Sequence, residues 1–377
     1  MSSTVCLVAN TLGYLEGGGH LWAYLNWALG LRALDCHVVW LEVVRPDTSP
    51  DSLRTFVATL KDRLQRYGLA DSVALCSLAE PSLRLRVDGC LDLDAASEAD
   101  LLLNFVYGLP REVVQHFRRT ALVDIDPGLL QIWVHRQEIF IAPHDIYFTI
   151  GETVGHPDSG FPDSGVPWTY TPPPVALGWW PPTSPATSTS PSFTTVSHWD
   201  ANEWVEWGGD VWRNDKRAGF LPFLNLPRRT PWPLELALCI RSEDEDWAEL
   251  LRNGWRIRHA WDVTPTPWDY QQYIQSSLGE FSCAKPSYAR LRTAWVSDRT
   301  LCYLASGKPA VIQHTGPSRF LPDDGGVFRF RTVEDAADCL EAVMAGYERQ
   351  SRLARALAEE YFDAGKVLRR VLERALT

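Results

Sequence analysis

The sequence predicts an α/β protein built as two lobes, each a parallel sheet covered by helices. Three observations carry this. Short valine- and leucine-rich runs alternate with segments of helical periodicity in both halves of the chain. The 377 residues suffice for two domains of about 150 to 190 residues, each with its own core. Between Thr171 and Pro191 the chain becomes TPPPVALGWWPPTSPATSTSP, too rich in proline, serine and threonine for either periodicity, and reads as a linker.

The first half opens as strand, glycine loop, helix, strand: TVCLVAN, GYLEGGG, HLWAYLNWALGLRAL and HVVWLEVV. Leu21, Tyr24, Leu25, Ala28 and Leu29 recur at helical spacing, whereas the flanking runs are short and valine-rich. Further strands are expected at DLLLNF (100–105), TALVDI (120–125) and DIYFTI (145–150), giving a parallel sheet. A second series starts at SFTTVSHW and passes a hairpin, EWVEWGGDVWR, that turns at Gly208 and Gly209. It continues through LELALCI, a helix opening at Ser242 with Glu245 three residues on, WRIRHAW, a helix opening near Thr266 and Pro267, EFSCA, a helix opening at Ser297, and PAVIQ. From Thr332, with Asp335 at capping-box spacing, the tail is helical. The expected division is therefore a first lobe over 1–175, a linker over 176–191, a second lobe over 192–350, and a helix over 351–377 that crosses back to the first lobe.

Charge narrows the partners. With 36 basic and 47 acidic residues the formal net charge is −11, which argues against a nucleic-acid backbone or an anionic membrane as main partner. The eight cysteines form no CxxC pair and lie mostly in apolar runs, as reduced core thiols do. The start, MSSTVCLVANTLG, lacks the layout of a signal peptide, and no apolar stretch reaches about 18 residues, so a cytoplasmic protein without membrane insertion is expected. More than half of the 17 tryptophans fall between Trp168 and Trp268, where the chain's particular chemistry is expected.

Two segments invite ligands. Ser297 and Asp298 open an apolar run, and the free N–H groups of such a helix start suit a phosphate, with Lys285 and Arg299 nearby. Gly17, Gly18, Gly19 and His20 lie between the first strand and first helix, where glycine either admits a ligand to the backbone or simply makes a tight turn; the spacing is not GxGxxG. Metal sites score poorly. His135 and His144, or His156 and Asp158, make no ligand set, and the one DxD-spaced run, DLD at 92–94, lies in the other lobe from the phosphate site.

The run YLASGKPAVIQHTG (303–316), a helix, a small-Gly-x-Pro turn and a strand, resembles the nucleotide-sugar half of the GT-B glycosyltransferases. That resemblance implies two Rossmann-like domains facing across a cleft and transfer of a sugar from a nucleotide diphosphate sugar, UDP- or TDP-linked, to a small acceptor. The donor would be a co-substrate, with no other cofactor and no metal. It implies that His20 is the base of an inverting transfer and that an aspartate about a hundred residues on orients it; Asp126 is preferred to Asp124 because it lies nearer the strand's carboxyl end. Lys285, Ser297, Asp298 and Arg299 become the diphosphate group, and Thr315 and Gly316 face the sugar or phosphate. Glu280 either binds a sugar hydroxyl or pairs with a base, and Ser197, His198 and Trp199 face the cleft, with Trp199 stacking on a base or sugar or packing in the core. Cys302 stands where many relatives of that fold carry a ribose-binding glutamate. The tryptophan-rich segment hints at an aromatic or hydrophobic acceptor, as in natural-product biosynthesis. An epimerase of the same fold and a non-catalytic nucleotide-sugar binder remain as alternatives.

Overall fold

A computed structural model describes residues 3–77, 85–157, 159–184 and 191–377; Asp158 and residues 185–190 of the expected linker lie outside the described residues. The first sheet has seven strands: β1 (Thr4–Ala9), β2 (His37–Val44), β3 (Val73–Ser77), β4 (Leu101–Asn104), β5 (Thr120–Asp124), β6 (Ile146–Thr149) and β7 (Trp168–Tyr170). Their order is 3-2-1-4-5-6-7 and every pairing is parallel. Val5, Cys6, Leu7, Val8 and Ala9 are all fully buried, as a central parallel strand covered on both faces requires.

After β8 (Phe193–His198) comes the antiparallel hairpin β9 (Trp204–Trp207) and β10 (Asp210–Arg213), with Gly208 and Gly209 both at positive φ in its turn. The second sheet continues through β11 (Leu234–Cys239), β12 (Arg256–His259), β13 (Gly279–Ser282), β14 (Ala310–Gln313), β15 (Asp324–Gly325) and β16 (Val327–Phe330). Its order is 12-11-8-13-14-16-15, parallel except that β15 runs against β16. In each sheet the chain order reverses beside the first strand, at β1 and at β8, and the crevices beyond those strand ends open toward each other.

Four strands escape the sequence reading: β3, β7, β15 and β16. Three-residue β7 and two-residue β15 are too short for any period, and Arg329 interrupts β16. That arginine is buried, donating from Nη1 to the Gly316 carbonyl (2.8 Å) and from Nε to Asp323 (2.6 Å). Caps are mostly as expected: Thr266 accepts from Asp269 N, Thr332 and Asp335 close a capping box, and Ser297 accepts from Arg299 N. The helix expected at Ser242 instead spans Glu245–Arg252, with Asp244 as its cap, because Asp244 can reach the Asp246 N–H.

Apolar clusters run between the two lobes. The first helix, Gly18–Ala33, places Leu21, Trp22 and Leu25 in a cluster that also holds Ile274, Leu301 and Tyr303 of the second lobe. Trp180, within the segment expected to be a linker, is fully buried between the rings of Trp22 and Tyr270. The last helix, Ala364–Ala375, packs on the first helix at Gly30, where a Cβ would come within 2.5 Å of the Ala364 Cβ. None of the eight cysteines is disulfide-bonded. Among the described residues no helix is long and apolar enough to cross a membrane.

Candidate functional site

A cavity of about 610 Å³ lies between the carboxyl ends of the two sheets. His20, Gly17, Gly19 and Asp126 line it from the first lobe, and Ser197, His198, Trp199, Lys285, Ser297, Asp298 and Arg299 from the second. Most residues singled out in the sequence thus meet in one place, although their individual contacts differ from the expected ones.

The loop after β1 is shaped by Glu42, a fully buried carboxylate at the end of β2. It accepts the backbone N–H groups of Thr11 (2.9 Å) and Leu12 (3.2 Å) and the Trp40 indole N–H (2.8 Å). The chain then swings past Tyr14 into the first helix. Gly19 lines the cavity with its backbone, whereas both Gly18 and Gly19 are pressed against the other lobe. Gly18 N donates to the Thr264 carbonyl (2.8 Å), a Cβ on Gly18 would sit 1.9 Å from the Thr266 oxygen, and one on Gly19 would sit 2.6 Å from the Tyr270 ring. Their smallness serves contact between lobes.

His20 follows on the first turn. Its Nε2 lies 2.8 Å from the Asn10 carbonyl. A carbonyl only accepts, so Nε2 carries the proton and Nδ1 is the basic nitrogen. Tyr14 and Tyr24 approach the ring edge-on at 5.4 and 5.5 Å. The expected orienting aspartate is engaged elsewhere: Asp126 accepts from the Tyr107 hydroxyl (2.9 Å) and, across the cleft, from the Tyr288 hydroxyl (3.1 Å). A backbone carbonyl, rather than a carboxylate, fixes the His20 tautomer. Asp124 stands behind Asp126, accepting from Gln131, Thr149 and the Asp126 N–H; burial pushes its carboxyl up to about 7 against those bonds.

On the second lobe the Ser297 helix start faces the cavity, with Asp298 beside it. Arg299 is not a free phosphate ligand. It is buried, pairs with fully buried Glu280 (2.8 Å), and donates to the Val196 carbonyl (3.0 Å) and the Ser282 hydroxyl, so it ties β8 to β13 beneath the site. Glu280 accordingly serves that pair rather than a sugar hydroxyl. Lys285 pairs with Glu203 (2.6 Å). Trp199 is a core side chain, 1% exposed, donating its indole N–H to Asp246 (2.7 Å). Thr315 and Gly316 lie behind the site: Thr315 Oγ1 donates to the Trp295 carbonyl (2.6 Å), and a Cβ on Gly316 would sit 2.4 Å from the Arg292 oxygen. They hold the loop that carries Trp295.

Several lining residues went unnoticed in the sequence. Lys216, at the start of a short helix after the hairpin, donates to the Cys283 carbonyl and lies 6.0 Å over the Trp295 ring. Loss of hydration, then the Arg299 charge, lowers its ammonium to about 7. Trp295 stacks on Tyr288 at 4.1 Å. Trp261, 43% exposed, lines the cavity and is held parallel to His259 at 5.1 Å, which itself stacks on Trp247. The signal for Trp261 was its place just past a strand end; for Lys216 there was none, since the hairpin obscures its register with β8. Cys302 is buried, its sulfur facing the Asn26 amide. Asp92 of the DLD run caps the short helix Leu93–Ala96.

No protein-family model matches the sequence, and no curated protein matches it. Solved structures do match over the whole chain. An alpha-glucosyltransferase in complex with UDP-glucose and DNA containing an abasic site is similar with a TM-score of 0.62 at 11% identity, covering 100% of each chain. HepE of Anabaena in complex with UDP-glucose is similar with a TM-score of 0.55 at 10% identity, covering 99% of each. With its two parallel α/β sheets opening onto one cleft, the chain has the GT-B fold.

Proposed function

We propose that this protein is a metal-independent glycosyltransferase, moving a sugar from a nucleotide diphosphate sugar to a small hydroxyl acceptor with inversion. The observation that carries the reading is the pairing, in one cavity, of a histidine whose tautomer is fixed with a helix start and a lysine suited to an anion. A UDP sugar is the donor the neighbours above suggest, since both hold UDP-glucose, and a TDP sugar is the second candidate.

In this reading the acceptor enters from the first lobe, against Tyr14, Glu16 and His20. His20 Nδ1 takes the hydroxyl proton as the acceptor oxygen bonds to the sugar's anomeric carbon and the bond from that carbon to the diphosphate breaks. The departing diphosphate is met by the Ser297 and Asp298 N–H groups and by Lys216, which stabilise the charge that develops on it. Trp261 offers its exposed face to the base, and the Asp298 carboxylate beside Ser297 takes the place of the absent ribose glutamate. Tyr288 and Trp295 form the apolar wall, which suits an aromatic or hydrophobic acceptor, such as a natural product.

Thermal shifts with nucleotides and nucleotide sugars test the donor site, because a ligand of the native state raises the melting temperature by mass action. A nucleoside diphosphate and its sugar should raise it, and the bare nucleoside should not. His20→Ala should keep the donor shift while turnover with an accepted substrate falls by about 10²- to 10⁴-fold. Unchanged turnover would remove His20 as the base, and an epimerase would convert donor sugar without any acceptor.

A further inference from the structure

We propose that Glu42 is a positioning residue for His20, acting on the imidazole through the peptide group between Asn10 and Thr11. That His20 is the base rests on the function proposed above; that Glu42 holds it does not, and the two are tested apart.

Two bonds at this turn belong to one peptide. Its N–H, on Thr11, donates to Glu42 Oε2 (2.9 Å), and its C=O, on Asn10, accepts from His20 Nε2 (2.8 Å). The N–H and C=O of a trans peptide point in opposite directions, so the group fixed at Glu42 aims its oxygen away from the carboxylate, at the histidine. Leu12 N donates to the same carboxylate oxygen (3.2 Å) and the Thr11 hydroxyl to the other. Three of the four bonds that Glu42 accepts therefore hold this turn, and the fourth comes from Trp40 Nε1 to Oε1 (2.8 Å).

A carboxylate is costly in this place. Glu42 is fully buried and no cation pairs with it among the described residues; burial pushes its carboxyl up, and the bonds from Thr11, Trp40 and Leu12 pull it down. Burial also raises the Tyr24 phenol and the Cys76 thiol beside it, which keeps both neutral. To tie β2 to the loop, a neutral acceptor would suffice. A full charge does one thing more: it polarises the peptide whose N–H it accepts, and so strengthens the carbonyl at the other end as an acceptor for Nε2–H. When His20 takes a proton at Nδ1, that carbonyl and the carboxylate behind it stabilise the imidazolium. Asp126, held by Tyr107 and Tyr288, is engaged elsewhere.

The test is nitrogen-resolved NMR of the full chain labelled in its histidines, with the His20 signals assigned by their loss in His20→Ala. In wild type the Nε2 proton should be sharp and slow to exchange with water. Glu42→Gln keeps an oxygen for the two N–H groups but removes the charge and leaves Trp40 Nε1 without its acceptor; the Nε2 proton should move upfield and exchange on the order of fivefold faster. Glu42→Ala, which frees the turn, should lose the signal to exchange. Trp40→Phe removes a bond on the other oxygen only, and should lower the melting temperature while leaving the His20 signals in place. His20 signals unmoved in Glu42→Gln, or moved as far in Trp40→Phe, would overturn the inference. Turnover of UDP-glucose with a phenol as acceptor should fall about threefold to tenfold in Glu42→Gln and about tenfold to hundredfold in Glu42→Ala, with KM for UDP-glucose within about twofold of wild type. Turnover that His20→Ala abolishes and Glu42→Ala leaves intact would sink the inference and spare the base. Turnover that survives His20→Ala, with the Glu42→Gln signals moved, would remove the base and leave the link from Glu42 to His20 standing.

Discussion

A backbone carbonyl decides what His20 can do. Because Asn10 accepts from Nε2, the ring is oriented with Nδ1 as its remaining nitrogen, without a carboxylate bonded to it. Asp126 is thereby released to hold Tyr107 and Tyr288, and so to join the lobes at the floor of the cleft. The place of His20 was legible in the sequence because a glycine loop followed by an apolar-periodic run marks a helix start. Its partner was not legible, since nothing in the spacing of Asp124 and Asp126 tells which hydroxyls fold back onto them. Away from the site, Lys308 is fully buried with no hydrogen-bond partner at Nζ, and burial lowers its ammonium to about 8. The unfolded chain binds that proton up to its higher ordinary range. The cost of Lys308 is therefore full below about pH 8 and fades as pH rises toward 10.5. Lys308→Met should stabilise the protein by about 1 to 3 kcal/mol in urea unfolding at pH 7, and by less at pH 10. An equal gain at both values would mean that packing, not charge, sets the effect.

Among the elements, the glycine segment changes meaning most between sequence and structure. Three glycines before a helix look like a ligand cradle, yet Gly18 and Gly19 let the first helix touch the Thr264–Tyr270 segment of the other lobe. Trp22 Nε1 donates to the Pro267 carbonyl (2.8 Å) one turn further along the same contact. Gly18→Ala, whose Cβ would overlap the Thr266 oxygen, should cost about 1 to 3 kcal/mol and lower the melting temperature, whereas Gly17→Ala meets only the movable Tyr14 ring. Equal, small effects of the two substitutions would show that the lobes can part at no cost. Caps and central strands were readable because Ser297, Thr266 and Thr332 satisfy local backbone donors and because strands such as β1 are continuous apolar runs. The edge strands β7 and β15 and the inner strand β16 were not, since short length or a buried arginine removes their pattern.

At the scale of the whole molecule, two sheets of one architecture face each other, and a large apolar cluster runs through both lobes. The first helix, the buried Trp180 segment and the last helix all contribute to it. In a chain of net charge −11 the cleft still brings Lys216, Lys285 and Arg299 together, alongside Glu16, Asp126 and Asp298. The two-lobed fold could be anticipated from alternation alone; the close union of the lobes could not, because it depends on which tryptophans meet across 150 residues or more of chain, as Trp22 and Trp180 do. The proposed function requires this cleft to hold a nucleoside diphosphate with its phosphates on the Ser297 helix start. A crystal structure of the full chain soaked with UDP tests it most directly. The base should lie against Trp261 and the diphosphate between Lys216 and the Ser297 and Asp298 N–H groups, with His20 Nδ1 facing the vacant sugar position; UDP bound outside the cleft, or with its phosphates turned away from Ser297, would contradict this.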